Sequence, residues 1–294
     1  MKLGAVFPQT EIGLDPEDIC HFAITLEACD FDHVLAYDHV IGANTANRPE
    51  WPEGYYDHTC AFHEPLVLFS FLSGVTAKLE FMTGVMILPQ RQTALVAKQA
   101  ANLDVFSSGR LRMGFGVGWN RVEYEALGVP FGERGARLDE QIEYLRQIWW
   151  AESSTFSGRF HALLEAGINP LPCRRSIPIW VGGTSPAAVK RAAARSDGWI
   201  PVLPAPEAEA AILSFHEDVR AVQRDPAAVG IEAIVFARDL SLGQRRSAAE
   251  VAGDCEVWQA AGATHVAVDT MNAGLASTDD HLDYLHAVRA RLGR

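Results

Sequence analysis

The chain has 294 residues, 48% hydrophobic and 21% charged, which supplies a large core and too little charge for a disordered polymer. A formal net charge of −12 disfavours nucleic acid or an anionic membrane surface as partner. Five scattered cysteines (Cys20, Cys29, Cys60, Cys173 and Cys255) without a C-x-x-C pair argue against a disulfide framework or zinc site, and no apolar run approaches the roughly 20 residues of a membrane span.

Strand and helix signals alternate from the first residues onward. Leu3–Phe7 is the first expected strand. The run from Met1 to Pro8 is too short for a signal peptide, so a reduced, cytoplasmic protein is expected. Asp15 caps a helix with Pro16 in its first turn and Ile19, Phe22, Ala23 and Leu26 on its apolar face. Strand two is expected at His33–Tyr37, its helix at Leu66–Val75. Strand three at Leu79–Met86 leads to a helix over Ala94–Phe106, stopped by Ser107-Ser108-Gly109. Strand four covers Leu111–Val117, and a helix covers Gly135–Trp150. Strands five to eight follow at Pro178–Val181, Trp199–Val202, Ile231–Ala237 and Thr264–Val268. Their helices are Ser185–Ser196, Pro206–Val222, Ala248–Ala261 and Asp279–Leu292. Eight strand–helix units predict an α/β fold, a single-domain (β/α)8 TIM barrel over 1–294 with insertions in its loops; a doubly wound open sheet is the competitor.

Two connections, Asp38–His63 and Ser153–Ile177, are longer than ordinary turns and read as lids over the barrel, the second holding a hairpin around Ser157-Gly158. Chemistry in a barrel sits at the C-terminal strand ends. Strand two ends in Tyr37-Asp38-His39, where an imidazole suits proton transfer and a neighbouring carboxylate can tune it; the alternative is a structural histidine. Strand three contains Thr83-Gly84-Val85, a glycine that marks either a bulge or close packing. Strand four runs into Gly114-Phe115-Gly116-Val117-Gly118-Trp119, which lets a flat ring approach backbone but departs from the dinucleotide fingerprint. Strand five ends in Gly182-Gly183-Thr184-Ser185-Pro186, a glycine turn at a positive helix end suited to phosphate. The charges of Arg134–Glu140 read as surface ion pairs. No Walker loop, nucleophile elbow or His-Glu-x-x-His occurs, and His58 with His63 makes only weak evidence for metal, so no metal site is expected.

In their order and spacing, Lys2–Pro8, Asp38-His39, Thr83–Arg91, Ser108–Trp119, Arg134–Glu140, Pro178–Gly183 and Asp197-Gly198-Trp199 resemble the luciferase-like monooxygenase superfamily of flavin and deazaflavin barrels over nearly the whole chain. The branch it is most similar to depends on coenzyme F420, an 8-hydroxy-5-deazaflavin. The resemblance implies that the Gly84-Val85 peptide forms the bulge, often a non-proline cis bond, behind the coenzyme ring. With Thr83 beside it, Gly116, Gly118 and Trp119 would border the ring, and Gly182, Gly183 and Thr184 would hold the phosphate. His39, with Asp38, would be catalytic. Trp51, Tyr55 and Arg121 are expected at the substrate. Sugar-phosphate dehydrogenases of this superfamily place a catalytic glutamate where Arg121 stands, with Glu123 and Glu125 further on, which leaves the substrate open.

The resemblance implies an F420-dependent oxidoreductase that transfers a hydride to or from a small organic molecule. An FMN-dependent monooxygenase and a non-catalytic coenzyme-binding protein are the alternatives. It also implies a homodimer, for which the helices Leu66–Val75 and Ala94–Phe106 are the expected contacts.

Overall fold

A computed structural model describes residues 1–49, 51 and 56–293. Eight strands, β1 (Lys2–Val6), β2 (His33–Ala36), β3 (Glu80–Thr83), β4 (Leu111–Gly116), β5 (Ile179–Gly182), β6 (Gly198–Ile200), β7 (Gly230–Phe236) and β8 (His265–Asp269), pair in parallel around a closed ring. Closure is made by β8 against β1, where Leu3 pairs with Val266 and Ala5 with Val268. The barrel helices are α1 (Pro16–Ala28), α2 (Pro65–Ser73), α3 (Thr93–Phe106), α4 (Arg134–Trp150), α5 (Pro186–Arg195), α6 (Ala208–Ala221), α7 (Ala248–Ala261) and α8 (Thr278–Arg291).

Local chemistry sets the helix starts. The side chains of Asp15 and Ser185 cap α1 and α5, each with proline in the first turn, and Ser247 forms a reciprocal capping box with Glu250 on α7. Between strands and helices lies the larger apolar core, with Phe7, Phe22, Phe69, Phe81, Trp149 and Phe215 fully buried. Inside the barrel a smaller cluster, including Val6, Leu35, Met82, Trp180, Ile200, Ile234 and Ala267, fills the middle. Tyr37, Val85 and Phe236 lie partly buried against that cluster. The barrel is therefore a packed plug whose upper layer faces the mouth.

A charged cluster closes the opposite end. Buried Glu232 on β7 pairs with His33 Nε2 on β2 and with Arg112 Nη1 on β4 (2.7 Å), and the Arg112 guanidinium stacks over Trp180. Burial works against the Glu232 carboxylate, but the charges of His33 and Arg112 hold it far below the ordinary range. Burial, with Arg112 nearby, pushes His265 down to about 3. Both directions make the unfolded chain bind protons first on acidification. The His265 contribution is lost between about pH 6.5, its unfolded value, and 3; that of Glu232 is lost below about 4.3. Thermal midpoints should therefore fall steadily from pH 7 to pH 4 in scanning calorimetry, and a flat profile would contradict this role.

The Gly84-Val85 peptide is cis, as the resemblance implied; strand three, expected as one run, breaks there and resumes as Met86–Ile87, both segments pairing with β4. The hairpin expected around Ser157-Gly158 is present as Ser154–Ser157 with Ala162–Ala166. It arises between a helix and the following strand and packs outside α4: Glu140 accepts the Phe160 and His161 amides and pairs with His161, while Tyr144 meets Phe156 edge-on. Among the described residues no helix is long and apolar enough to cross a membrane.

Candidate active site

The platform at the mouth is built from glycines that make room for side chains. A Cβ on Gly116 would lie 2.5 Å from Val85 Cγ2, one on Gly182 would lie 2.6 Å from Val85 Cγ1, and one on left-handed Gly118 would lie 2.8 Å from Ile87 Cγ2. The strand-four and strand-five glycines thus admit the bulge from β3, and half-buried Val85 becomes the surface offered to a flat ligand. Gly84 packs backbone against Leu35 in the same way.

His39 extends the inward-facing series of β2 to the rim. Its ring stacks on Tyr56 (centroids 3.6 Å apart) and meets Phe62 edge-on. Its Nδ1 lies 3.6 Å from Glu123 Oε1 and has no hydrogen-bond partner among the described residues. Buried Glu123 Oε1 accepts the Val40 amide (2.9 Å), the Ile41 amide and the Tyr56 hydroxyl (both 3.3 Å); Oε2 accepts from Gln90 Nε2 (3.3 Å). Burial alone would raise this carboxyl, but His39, the Ile41 amide and Gln90 together hold it below the ordinary range. Glu123 is a fixed negative charge beside the imidazole. Burial and that charge push the Tyr56 hydroxyl upward, so it remains a donor. Trp51 and Trp119 complete an aromatic wall, with ring centroids 4.9 Å apart and Trp51 Nε1 donating to the Tyr56 carbonyl (3.1 Å).

Beyond the platform, a cavity of about 270 Å³ lies between the start of α4 and the start of α5, lined by Val117, Arg134, Gly135, Gly182, Ser185, Ala187 and Arg191 among others. The positive end of α5 borders it. Arg191 is engaged by Asp139 Oδ1 at 2.6 Å, whereas Arg134 Nε is buried with no hydrogen-bond partner among the described residues. That orphaned donor beside a helix start fits an anionic group.

Several expected roles are corrected. Asp38 is not bonded to His39: its Oδ1 takes Arg91 Nη2 at 2.6 Å and its Oδ2 takes the Ile87 amide at 2.9 Å, so it clamps the resumed strand. Thr83 is fully buried and exchanges hydrogen bonds with the Gly114 carbonyl and amide, which removes it from the mouth. The Gly183 amide, expected to hold phosphate, donates to the Ile200 carbonyl (3.2 Å); the adjoining helix start and Arg134 face the cavity instead. Arg121 is exposed, with its guanidinium over the Phe131 ring. Thr184 is exposed just before the Ser185 cap, and Tyr55 lies outside the described residues. Glu123, Tyr56 and Arg134 were missed. Asn120, whose side chain caps the short helix Arg121–Ala126, was the available signal: it starts a turn that carries Glu123 back towards the mouth.

A closed (β/α)8 barrel whose strand ends gather a bulge platform, an imidazole–carboxylate pair and a cavity bordered by a helix start defines a TIM barrel with its candidate site at the C-terminal face. The chain belongs to the luciferase-like monooxygenase family, which matches residues 3–288 and consists of flavin- or F420-dependent oxidoreductases. An uncharacterised protein of Mycobacterium tuberculosis strain H37Rv is 42% identical over 139 residues, 47% of this chain and 48% of the relative, so the match spans about half the length of these first curated relatives. An FMNH2-dependent dimethylsulfone monooxygenase of Pseudomonas putida is 30% identical over 224 residues, 74% of this chain and 60% of its own. In fold, an F420-dependent secondary alcohol dehydrogenase solved with an F420–acetone adduct is similar with a TM-score of 0.79, at 17% identity over 99% of this chain and 98% of that one.

Proposed function

We propose that this chain holds coenzyme F420 across its mouth and catalyses hydride transfer between that deazaflavin and a small organic substrate. The observation that carries the reading is the continuity of the Val85 platform with the cavity at Arg134 and α5, which both touch Gly182. A tricyclic ring would rest on Val85, bordered by Gly116, Gly118 and Trp119, and its phosphate linker would meet the α5 N-terminus and Arg134. When bound, the coenzyme supplies a ring carbon that gives or takes a hydride.

The residues of the chain then orient, shield and move a proton. Trp51, Trp119, Tyr56 and Phe62 exclude water and take an apolar part of the substrate. Glu123 holds the imidazole through its Nδ1 side, leaving Nε2 to exchange the proton that accompanies the hydride. In this reading the chain acts as one domain in the cytoplasm.

An FMN-dependent monooxygenase is the second reading, favoured by the 30% identity to the FMNH2-dependent enzyme of Pseudomonas putida. Titrating the purified protein with each oxidised coenzyme separates the two: F420 should bind more tightly, and tighter FMN binding would reverse the assignment. Arg134→Ala should weaken either coenzyme about tenfold to a hundredfold through loss of a charge-assisted hydrogen bond.

A homodimer belongs to the same proposal. Val67 and Phe71 on α2 and Leu95 and Phe106 on α3 expose large apolar side chains. Light scattering should report a dimer for the native chain and a monomer for Phe71→Asp; a monomeric native chain would remove the dimer.

A further inference from the structure

The inward-facing positions of β7 run Glu232, Ile234 and Phe236, the first in the charged cluster and the next two in the barrel interior. Alternation carries the series to Arg238 at the rim, in the β7–β8–β1–β2 half of the mouth. Its Nε is buried without a hydrogen-bond partner, and its guanidinium forms no ion pair among the described residues. Two carboxylates lie within electrostatic reach, but both bond elsewhere. Asp269 takes the Tyr37 hydroxyl (2.6 Å) and the Met271 amide (2.8 Å). Glu11 takes the Asn272 amide (2.9 Å) and lies 3.5 Å from His281 Nε2. Burial raises both acids, Asp269 to about 6, and neither bonds the Arg238 guanidinium.

We propose that Arg238 recognises the carboxylate of a monoanionic substrate whose apolar body faces the aromatic wall beside His39. A partly buried guanidinium with an unspent donor is costly unless a ligand satisfies it. Its planar fork matches the two oxygens of a carboxylate. Glu11 and Asp269 repel a dianion more strongly than a monoanion, which selects against a phosphate monoester. His39, Tyr56, Phe62, Trp51 and Trp119 supply an apolar surface from the β2 side of the mouth. The inference rests on the proposed function in one respect: a coenzyme on the β3–β5 half leaves this half for the substrate.

Calorimetric titration of the purified full chain with benzoate and with neutral benzamide tests it. Benzoate should bind about tenfold to a hundredfold more tightly than benzamide. Arg238→Gln should erase that preference, Arg238→Lys should restore part of it, and F420 affinity should be the same in all three proteins. Equal binding of the two probes to the native chain, or an undiminished benzoate preference in Arg238→Gln, overturns the assignment. The native-chain comparison needs no variant to fold. If no protein binds coenzyme, the proposed function fails, while the benzoate comparison still decides the role of Arg238.

Discussion

His39→Ala should lower turnover by about 10²–10⁴-fold while leaving coenzyme affinity unchanged. The imidazole sits at the inner rim, stacked on Tyr56, with its Nδ1 directed at the buried Glu123 carboxylate. Removing it deletes the proton exchanger without touching the Val85 platform or the Arg134 cavity, which are built from other strands. Glu123→Gln should give a smaller loss, because it removes the charge that orients the ring and keeps most of its shape. Steady-state turnover with reduced or oxidised F420, alongside fluorescence titration of the coenzyme, separates the effects. Unchanged turnover in His39→Ala would remove this residue from the mechanism; lost coenzyme binding would assign it to the ring site instead.

Asp38→Ala should destabilise the fold by about 3–5 kcal/mol. The carboxylate is buried, and its two oxygens are taken by Arg91 and by the Ile87 amide. Alanine would leave Arg91, itself largely buried, with Glu64 as its remaining acid, and would free the amide on which strand three resumes. At roughly 2–4 °C per kcal/mol for a chain somewhat smaller than this one, the thermal midpoint should drop by about 10 °C. Calorimetry checks this, and turnover at low temperature should suffer less than in His39→Ala. A variant as stable as the native chain but devoid of turnover would return Asp38 to the chemistry.

Most of the scaffold was legible because each element carries its own local signal. The helix expected at Ala248–Ala261 is α7 with the same bounds, and Asp15-Pro16 opens α1 where expected. Periodicity marked the break in strand three only by a glycine, whereas the family resemblance pointed to the cis Gly84-Val85 bond itself. The hairpin was legible from its Ser157-Gly158 turn, while its packing against α4 through Glu140 and Tyr144 was not. The site was harder to read because partner choice is not written in spacing. Asp38 stands next to His39 in the chain, yet it bonds Arg91, 53 residues away, while His39 faces Glu123. Strand-four glycines that suggested open room for a ring are filled from β3 by Val85 and Ile87. Periodicity locates strand ends; which charges meet there depends on the closure of the ring.

A crystal structure of the chain grown with coenzyme F420 bears most directly on the proposal. Density for a tricyclic ring against Val85 and Gly116, with a phosphate beside Arg134 and the first turn of α5, is the expected result. A ring bound elsewhere, or a phosphate distant from that helix start, would contradict it.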